Sequence, residues 1–509
     1  MGVAVEDIKK RKERYLEKRL KFIEELSCYD TSNATLSDPL KKSSLFELGG
    51  KGGVPLASEF NTAYMDPRDS HTVTIGSTGS KKTRLVALPA VHLLGAAGES
   101  MIISDPKGEI FEHSSGYLEQ RGYFIDVVDF RSPKRGSGWN PLSLPFNFYI
   151  SGNKDRCYEL TYDITINFIN MDKSGSDPFW DNSAGSLFQG LALLLFEICK
   201  KFKLPANMAS MSNVFNLRLW MLGDKASRSF STPERQRANV LWDIAKNCPD
   251  VMACLACANS EAEQTNAGIL SVFDSKMFFL KISPSLNDML SEGKSRIEDI
   301  RKKPGVVYLI YPDEKTALHK LVSLFVKQSY EQLIYLAQND VASDAVRVNY
   351  ILDEFSSLPA ISDFPAMITA GRSRGIRFNL LIQSRHQLKL RYSEETETIM
   401  SNCDNWIFLN GREVEFLKDI SALCGEYERE GVRRSVLSLT DLQRLEKESG
   451  DALVLQGRLK PYLTNLKDIG EYNFGELPAA KVPSRGESEN TENELEKMLA
   501  DMTDERIQN

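Results

Sequence analysis

The chain has 509 residues, 42% of them hydrophobic and 26% charged, the composition of a globular protein of two to four domains at roughly 150 residues each. Sixty-three Lys and Arg against 70 Asp and Glu leave a net charge of −7, which excludes a protein that coats nucleic acid by bulk charge, so any polynucleotide contact must be local. Neither of the longest apolar stretches, Leu85–Gly98 and Gly190–Cys199, approaches the roughly 20 residues needed to cross a bilayer. The N-terminus also lacks the basic tip and apolar core of a signal peptide, so the expectation is a cytoplasmic chain.

Residues 7–26 read as a charged helix, because Glu6/Lys10, Asp7/Arg11 and Glu17/Lys21 stand four apart and Leu16, Leu20 and Ile23 form a narrow apolar stripe. Ser32 to Gly53 follows as an extended Ser/Gly-rich linker. From about residue 71, β-branched and apolar runs alternate with helical patterns. This predicts strands near 71–75, 100–104, 123–129, 306–311, 346–352, 377–382, 405–409 and 452–455, in an α/β fold whose mainly parallel sheet is covered by helices. Between about 144 and 297 the alternation stops. Leu187, Leu191, Leu194, Leu195 and Ile198 fall at helical spacing, and helices are expected over 211–222, 234–246 and about 258–273.

The expected organisation is therefore a charged helix and linker at 1–53, a first part of a nucleotide-binding domain at 54–143, an all-α insertion at 144–297, a second nucleotide-binding part at 298–475 and an acidic tail at 476–509. The tail reads as a solvated segment or a docking element for a partner, with a short amphipathic helix over 491–502. Eight scattered Cys fit reduced thiols. Cys254 and Cys257 form one CxxC without a second pair or a His at zinc spacing, so they are expected to be small packed residues.

The strand His71–Ile75 runs directly into GSTGSKKT, which is Gly76, Ser77, Thr78, Gly79, Ser80, Lys81, Lys82 and Thr83, and then into a helical run. A phosphate cradle needs this order. The Gly-rich turn aims backbone N–H groups inward, the helix N-terminus adds partial positive charge, and a Lys-Thr pair supplies a cation for the phosphates and a ligand for magnesium. The usual second glycine is Lys81 here, which either takes the turn under strain or weakens nucleotide binding. Downstream, the apolar run Val346–Leu352 ends in Asp353 and Glu354, one carboxylate to hold magnesium through water and one to activate the attacking water. The strand Phe378–Ile382 ends in Gln383, placed to touch a γ-phosphate at the carboxyl edge of the sheet. From Phe364 to Ser393 there is no acidic residue, while Arg372, Arg374, Arg377, Arg385, Lys389 and Arg391 supply positive charge. Such a strip can hold an arginine finger for a neighbouring subunit, a contact for a polynucleotide backbone, or both.

With these residues in place, the sequence resembles the type IV secretion coupling proteins, ring-forming ATPases that feed DNA and protein into conjugative transfer channels. The resemblance covers about 45 to 470 and rests on GSTGSKKT, SDPKGE at Ser104–Glu109, RGYFIDVVDF followed by WNPL ending at Leu142, DPFWD at Asp177–Asp181, LDEF at Leu352–Phe355, GRSRGI with LIQSRHQL ending at Leu388, and SNCDNWIFLNG at 401–411, in matching order and spacing. It implies a RecA-like P-loop domain carrying an all-α insertion linked to substrate recognition, assembled as a homohexamer that binds ATP and Mg2+ at subunit boundaries. Carried over by position, Lys82 and Thr83 bind phosphate and magnesium, Asp353 and Glu354 are the magnesium and water-activating carboxylates, Arg372 is the trans-acting finger with Arg374 as the alternative, and Gln383 is the γ-phosphate sensor.

The implied partners are single-stranded DNA with its relaxase, the channel ATPases and the inner-membrane components. Members typically begin with transmembrane helices. None is read here, so two expectations stand side by side: a shorter form, peripheral to the inner face of the membrane and recruited by a membrane-anchored helper, or a sequence trimmed before Met1. Two rival readings remain at this stage. One is a catalytically weak substrate receptor, supported by Lys81; the other is a double-strand DNA translocase, opposed by the long helical segment and DPFWD.

Overall fold

The computed structural model describes residues 44–45, 51–59, 62–169, 177–223, 232–258, 262–292, 296–339, 345–429, 431–457, 459–472, 478–482 and 494–500. The charged helix expected at 7–26 and most of the linker to Gly53 lie outside the described residues.

The main sheet contains β1 (His71–Gly76), β2 (Ser100–Asp105), β3 (Phe124–Asp129), β4 (Gly305–Ile310), β5 (Val348–Leu352), β6 (Ile376–Ile382), β7 (Cys403–Asn410), β8 (Asp451–Gln456) and β9 (Tyr462–Asn465). Their order across the sheet is β9-β8-β7-β1-β6-β5-β2-β4-β3. Every pair from β7 to β3 is parallel, while β8 and β9 add antiparallel at one edge. The eight strands read from the sequence are all present. β9 was not among them, nor were the short pairs Pro55–Glu59/Thr62–Met65 and Glu426–Arg429/Val432–Ser435. These are short strands with mixed polar content, and their pairing is decided by neighbours in space rather than by local pattern.

The strands are near-continuous apolar runs because both faces are covered. Alternate residues go to opposite sides, as the two-residue period of a strand requires. Met101, Ile103, Tyr308, Ile351 and Leu381 pack with Leu85, Val86, Leu94 and Phe111 from the helices that follow β1 and β2. Ile102, Leu309, Tyr350, Leu380 and Ile382 join the opposite core, continuous with Trp139, Phe325 and Leu191. That second core links the sheet to the helices between residues 143 and 302.

Among the described residues, this stretch carries helices and no strand, including Pro178–Lys201, Met211–Leu222, Thr232–Lys246 and Glu263–Ile282. DPFWD is a helix start. Asp177 accepts a hydrogen bond from the Phe179 N–H and Pro178 stands in the first turn, where a missing N–H costs nothing. The helix it opens, Pro178–Lys201, is long and apolar enough to span a membrane, yet 78% of its most apolar window is buried inside the protein. Leu187, Leu191, Leu194, Leu195 and Ile198 are among the residues it buries.

Three expectations are corrected. The end of the linker is not free, since the Gly52 N–H donates to Glu99 Oε1 at 2.7 Å and its carbonyl accepts from Arg377 at 3.0 Å. Arg377 is not a surface charge. It lies 2% exposed, paired with Glu99 at 2.6 Å and donating to Asn349 at 2.6 Å, because a guanidinium can be buried only where carboxylates and carbonyls meet it. The tail is also not wholly solvated. Residues 494–500 form a helix on the protein's own surface with Leu495 and Leu499 fully buried.

Candidate functional site

The carboxyl ends of β1, β6 and β5, adjacent in the sheet, deliver the phosphate-type loop, Gln383 and the Asp353-Glu354 pair to one place. After β1, Gly79 and Lys81 both adopt left-handed backbone, with φ of 79° and 64°. Lys81 thus takes the conformation that a glycine usually supplies, and its side chain leads away to Glu448, with Nζ 2.7 Å from Oε2. Ser80 N–H closes the turn onto the Ser77 carbonyl at 3.0 Å. The Ser80 hydroxyl is buried beneath the loop with no hydrogen-bond partner in the structure. The loop is fastened from the side by β7, since Ser77 N–H and Oγ both donate to Asn410 Oδ1, at 3.1 and 2.7 Å.

Lys82 is buried. Its Nζ donates to the Gly76 carbonyl at 2.8 Å and stands 3.6 Å from Glu354 Oε1. Thr83 Oγ1 donates to Asp353 Oδ2 at 3.0 Å. Gln383 Nε2 donates to the other Glu354 oxygen at 2.8 Å, and its carbonyl accepts from Thr78 Oγ1 at 3.2 Å. Glu354 itself sits at φ 52°, a strained backbone of the kind that clusters at functional sites.

The carboxylates are crowded in low dielectric. Burial, with Glu354 beside it, pushes Asp353 up to about 6, and burial, with Asp353 beside it, pushes Asp105 up to about 7. Such a group gains most from a nearby dication. A hydroxyl next to a carboxylate is an oxygen donor set of the type magnesium takes, and a Lys beside inward-turned N–H groups matches a polyphosphate. The residues present therefore fit a magnesium nucleotide. Beside the loop opens a cavity of about 510 Å³ lined by Ser77, Thr78, Gln383, Gln387, Phe408 and Phe416, among others.

Arg372 is elsewhere. It precedes β6, whose seven residues at about 3.3 Å each put it roughly 20 Å from Gln383, at the opposite edge of the sheet. There it donates to the Asp69 carbonyl at 3.0 Å and to Asp404 Oδ2 at 2.8 Å. Arg374 caps the preceding helix through the Ala370 carbonyl at 2.9 Å. Neither reaches the loop of its own chain.

Further residues at the site had no assigned role in the sequence. Ser104 and Asp105 are in SDPKGE, with Ser104 Oγ donating to the Asp353 carbonyl at 3.0 Å, and Asn410 is in SNCDNWIFLNG, whose Asp404 instead holds Arg372 away from the loop. The motifs were visible as strings; which edge of the sheet each residue served was not. Among the described residues no three His, Cys, Asp or Glu gather as a metal-ligand group, and Cys257 Sγ donates to the Ser183 carbonyl.

Residues 13–455 match the family described as type IV secretory system conjugative DNA transfer. The chain belongs to that family. Two conjugal transfer proteins TraG from Escherichia coli are 23% and 24% identical to it over 377 and 374 residues, 70% of this chain and 55% of theirs. The chain thus spans about half the length of these curated relatives. Among solved structures, the plasmid coupling protein TrwB in complex with ADP and Mg2+ superposes with a TM-score of 0.62 at 17% identity, covering 89% of this chain and 96% of that one. TrwBdeltaN70 in complex with sulphate gives 0.58 at 18% identity, covering 90% and 98%. The fold of this coupling-protein family member is thus the RecA-like α/β fold.

Proposed function

We propose that the chain is an ATP-hydrolysing coupling protein that delivers relaxase-bound single-stranded DNA to a type IV secretion channel. The observation that carries the reading is the meeting of Lys82, Thr83, Asp353, Glu354 and Gln383 at the carboxyl ends of three adjacent strands. In this reading, Lys82 and the N–H groups of residues 76–83 hold the phosphates, and Thr83 and Asp353 hold Mg2+. The ion, when bound, would offset negative charge on the phosphate oxygens. Glu354 orients a water and takes its proton as the water oxygen bonds to the γ-phosphorus and the bond to the bridging oxygen breaks, leaving ADP and inorganic phosphate. Gln383, tied to both Glu354 and Thr78, senses the γ-phosphate.

Arg372, out of reach of its own nucleotide, would serve a neighbour's in a homohexamer. Relaxase, channel ATPases, inner-membrane components and a membrane-anchored helper are the partners this reading assigns, on the cytoplasmic face of the membrane.

Steady-state ATP hydrolysis with and without single-stranded DNA tests it. Glu354→Gln should retain ATP binding and lose turnover, while Lys82→Ala should weaken binding itself. Wild-type turnover no higher than that of Glu354→Gln under both conditions would overturn the hydrolase reading in favour of a receptor.

A further inference from the structure

The helix at 494–500 is attached to the helical segment, far in sequence from it. Leu495 and Leu499, four apart and so on one face, are fully buried in the core shared with that segment, and Met498 packs beside them. Glu494, Glu496 and Lys497 on the remaining faces are exposed. Glu496 Oε1 stands 3.0 Å from the Arg237 guanidinium, which lies over the Trp220 ring at 5.2 Å. The receiving surface is therefore an apolar seat for two leucines, bordered by an arginine held in place by stacking. Arginine on an aromatic face is a pre-oriented partner for a carboxylate.

The chemistry of the occupant is modest. Two leucines, part of a methionine and one half-exposed ion pair must order a segment of two helical turns, which isolated peptides of that length do not hold in water. Such a contact persists because the segment is covalently tethered, at an effective concentration on the order of millimolar. An untethered helix with a better apolar face can displace it.

We propose that the Trp220–Arg237 surface is a helix-docking site, filled in the resting chain by its own C-terminal helix and taken by an acidic amphipathic helix of a partner protein that carries two leucines four residues apart next to a carboxylate. The proposal goes beyond the nucleotide chemistry and does not depend on it. It assigns the acidic tail to a cis competitor that releases the site only to a ligand of like pattern.

The test uses the full chain and a fluorescein-labelled peptide of residues 490–503. Leu495→Asp with Leu499→Asp vacates the seat, so the peptide should bind that variant at least about ten-fold tighter than wild type, as removal of a tethered competitor requires. Glu496→Arg alone weakens the cis contact without touching the core and should shift affinity in the same direction by less. Adding Arg237→Glu to the vacated variant should weaken binding several-fold, and a peptide carrying Glu496→Arg should restore it. Equal binding to wild type and to the vacated and Glu496→Arg variants, no binding to any of them, or indifference to Arg237→Glu would each overturn the proposal.

Discussion

Lys81 shows how one residue can break a motif without breaking the turn. Left-handed backbone costs a non-glycine residue about 1–2 kcal/mol, and the ion pair with Glu448, whose side chains are 27% and 51% exposed, returns about 0–1 kcal/mol. A glycine there would relieve the strain but lose about 0.5–1 kcal/mol to chain entropy. Lys81→Gly should therefore shift the melting temperature by no more than a few degrees and leave ATP affinity within about three-fold, since the relieved strain is offset by the lost ion pair and chain entropy, leaving a net of roughly 1 kcal/mol. Lys81→Val should lower both, because a β-branched residue resists positive φ. Thermal melts and nucleotide titrations of the two variants check this, and an activity defect cured by Lys81→Gly would contradict it. At the same scale, Gly375 does need its freedom. It takes φ 66° to turn the Arg372–Arg374 segment into β6.

At the scale of elements, His71 joins the strand that feeds the phosphate-type loop to its neighbours. Its Nδ1 accepts from the Phe378 N–H of β6 at 2.9 Å, and its Nε2 donates to the Ile368 carbonyl of the helix Phe364–Gly371 at 2.6 Å. Only the neutral ring satisfies both. Burial pushes His71 from 6.5 down to about 4. Because its folded value lies below the unfolded one, the stability it contributes is complete above pH 6.5 and is lost as pH falls through about 4. The full loss corresponds to about 3 kcal/mol. Asp105, raised to about 7, works in the opposite direction, its contribution disappearing as pH rises through that value. Urea midpoints measured from pH 7 to 4 should therefore fall less steeply with acid in His71→Gln than in wild type. Parallel profiles would show that this ring does not titrate in the folded strand.

At the scale of the molecule, Arg372 and the basic strip make separable predictions. If Arg372 serves a neighbour, Arg372→Ala should cut turnover by roughly 10³ to 10⁵, the range of arginine fingers, while nucleotide affinity stays unchanged. Wild-type specific activity should then rise with protein concentration, and a concentration-independent rate from a monomer would exclude trans action. The six charges between Phe364 and Ser393 are not equivalent in the folded chain. Arg377 is buried, Arg385 is paired with both Glu397 and Asp419, and Lys389 and Arg391 remain exposed on the helix Arg385–Tyr392. Single-stranded DNA affinity should fall with salt with a log–log slope of about −0.7 per phosphate neutralised. Lys389→Ala and Arg391→Ala should each flatten the slope more than Arg385→Ala, measured with a fluorescent oligonucleotide at matched oligomeric state. Equal slopes across the three would remove this helix as the contact.

Much of the site was legible because its parts are contiguous. A buried strand, a glycine-rich turn and a helix start follow one another at Gly76–Thr83, and Asp353, Glu354 and Gln383 each end an apolar run, so period and punctuation were enough to place them. The order of β1, β6 and β5, which brings those ends together, depends on pairings between separate strands, such as Thr72 with Asn379 and Val348 with Ile376. The same holds for the burial of Arg377 on Glu99, the hold of Asp404 on Arg372, the hold of Asn410 on the phosphate-type loop, and the seat of Leu495 and Leu499. In each case an ordinary local residue acquires its role from a partner that no periodicity announces. Charge and apolarity are properties of a residue, whereas desolvation and pairing are properties of where the folded chain puts it.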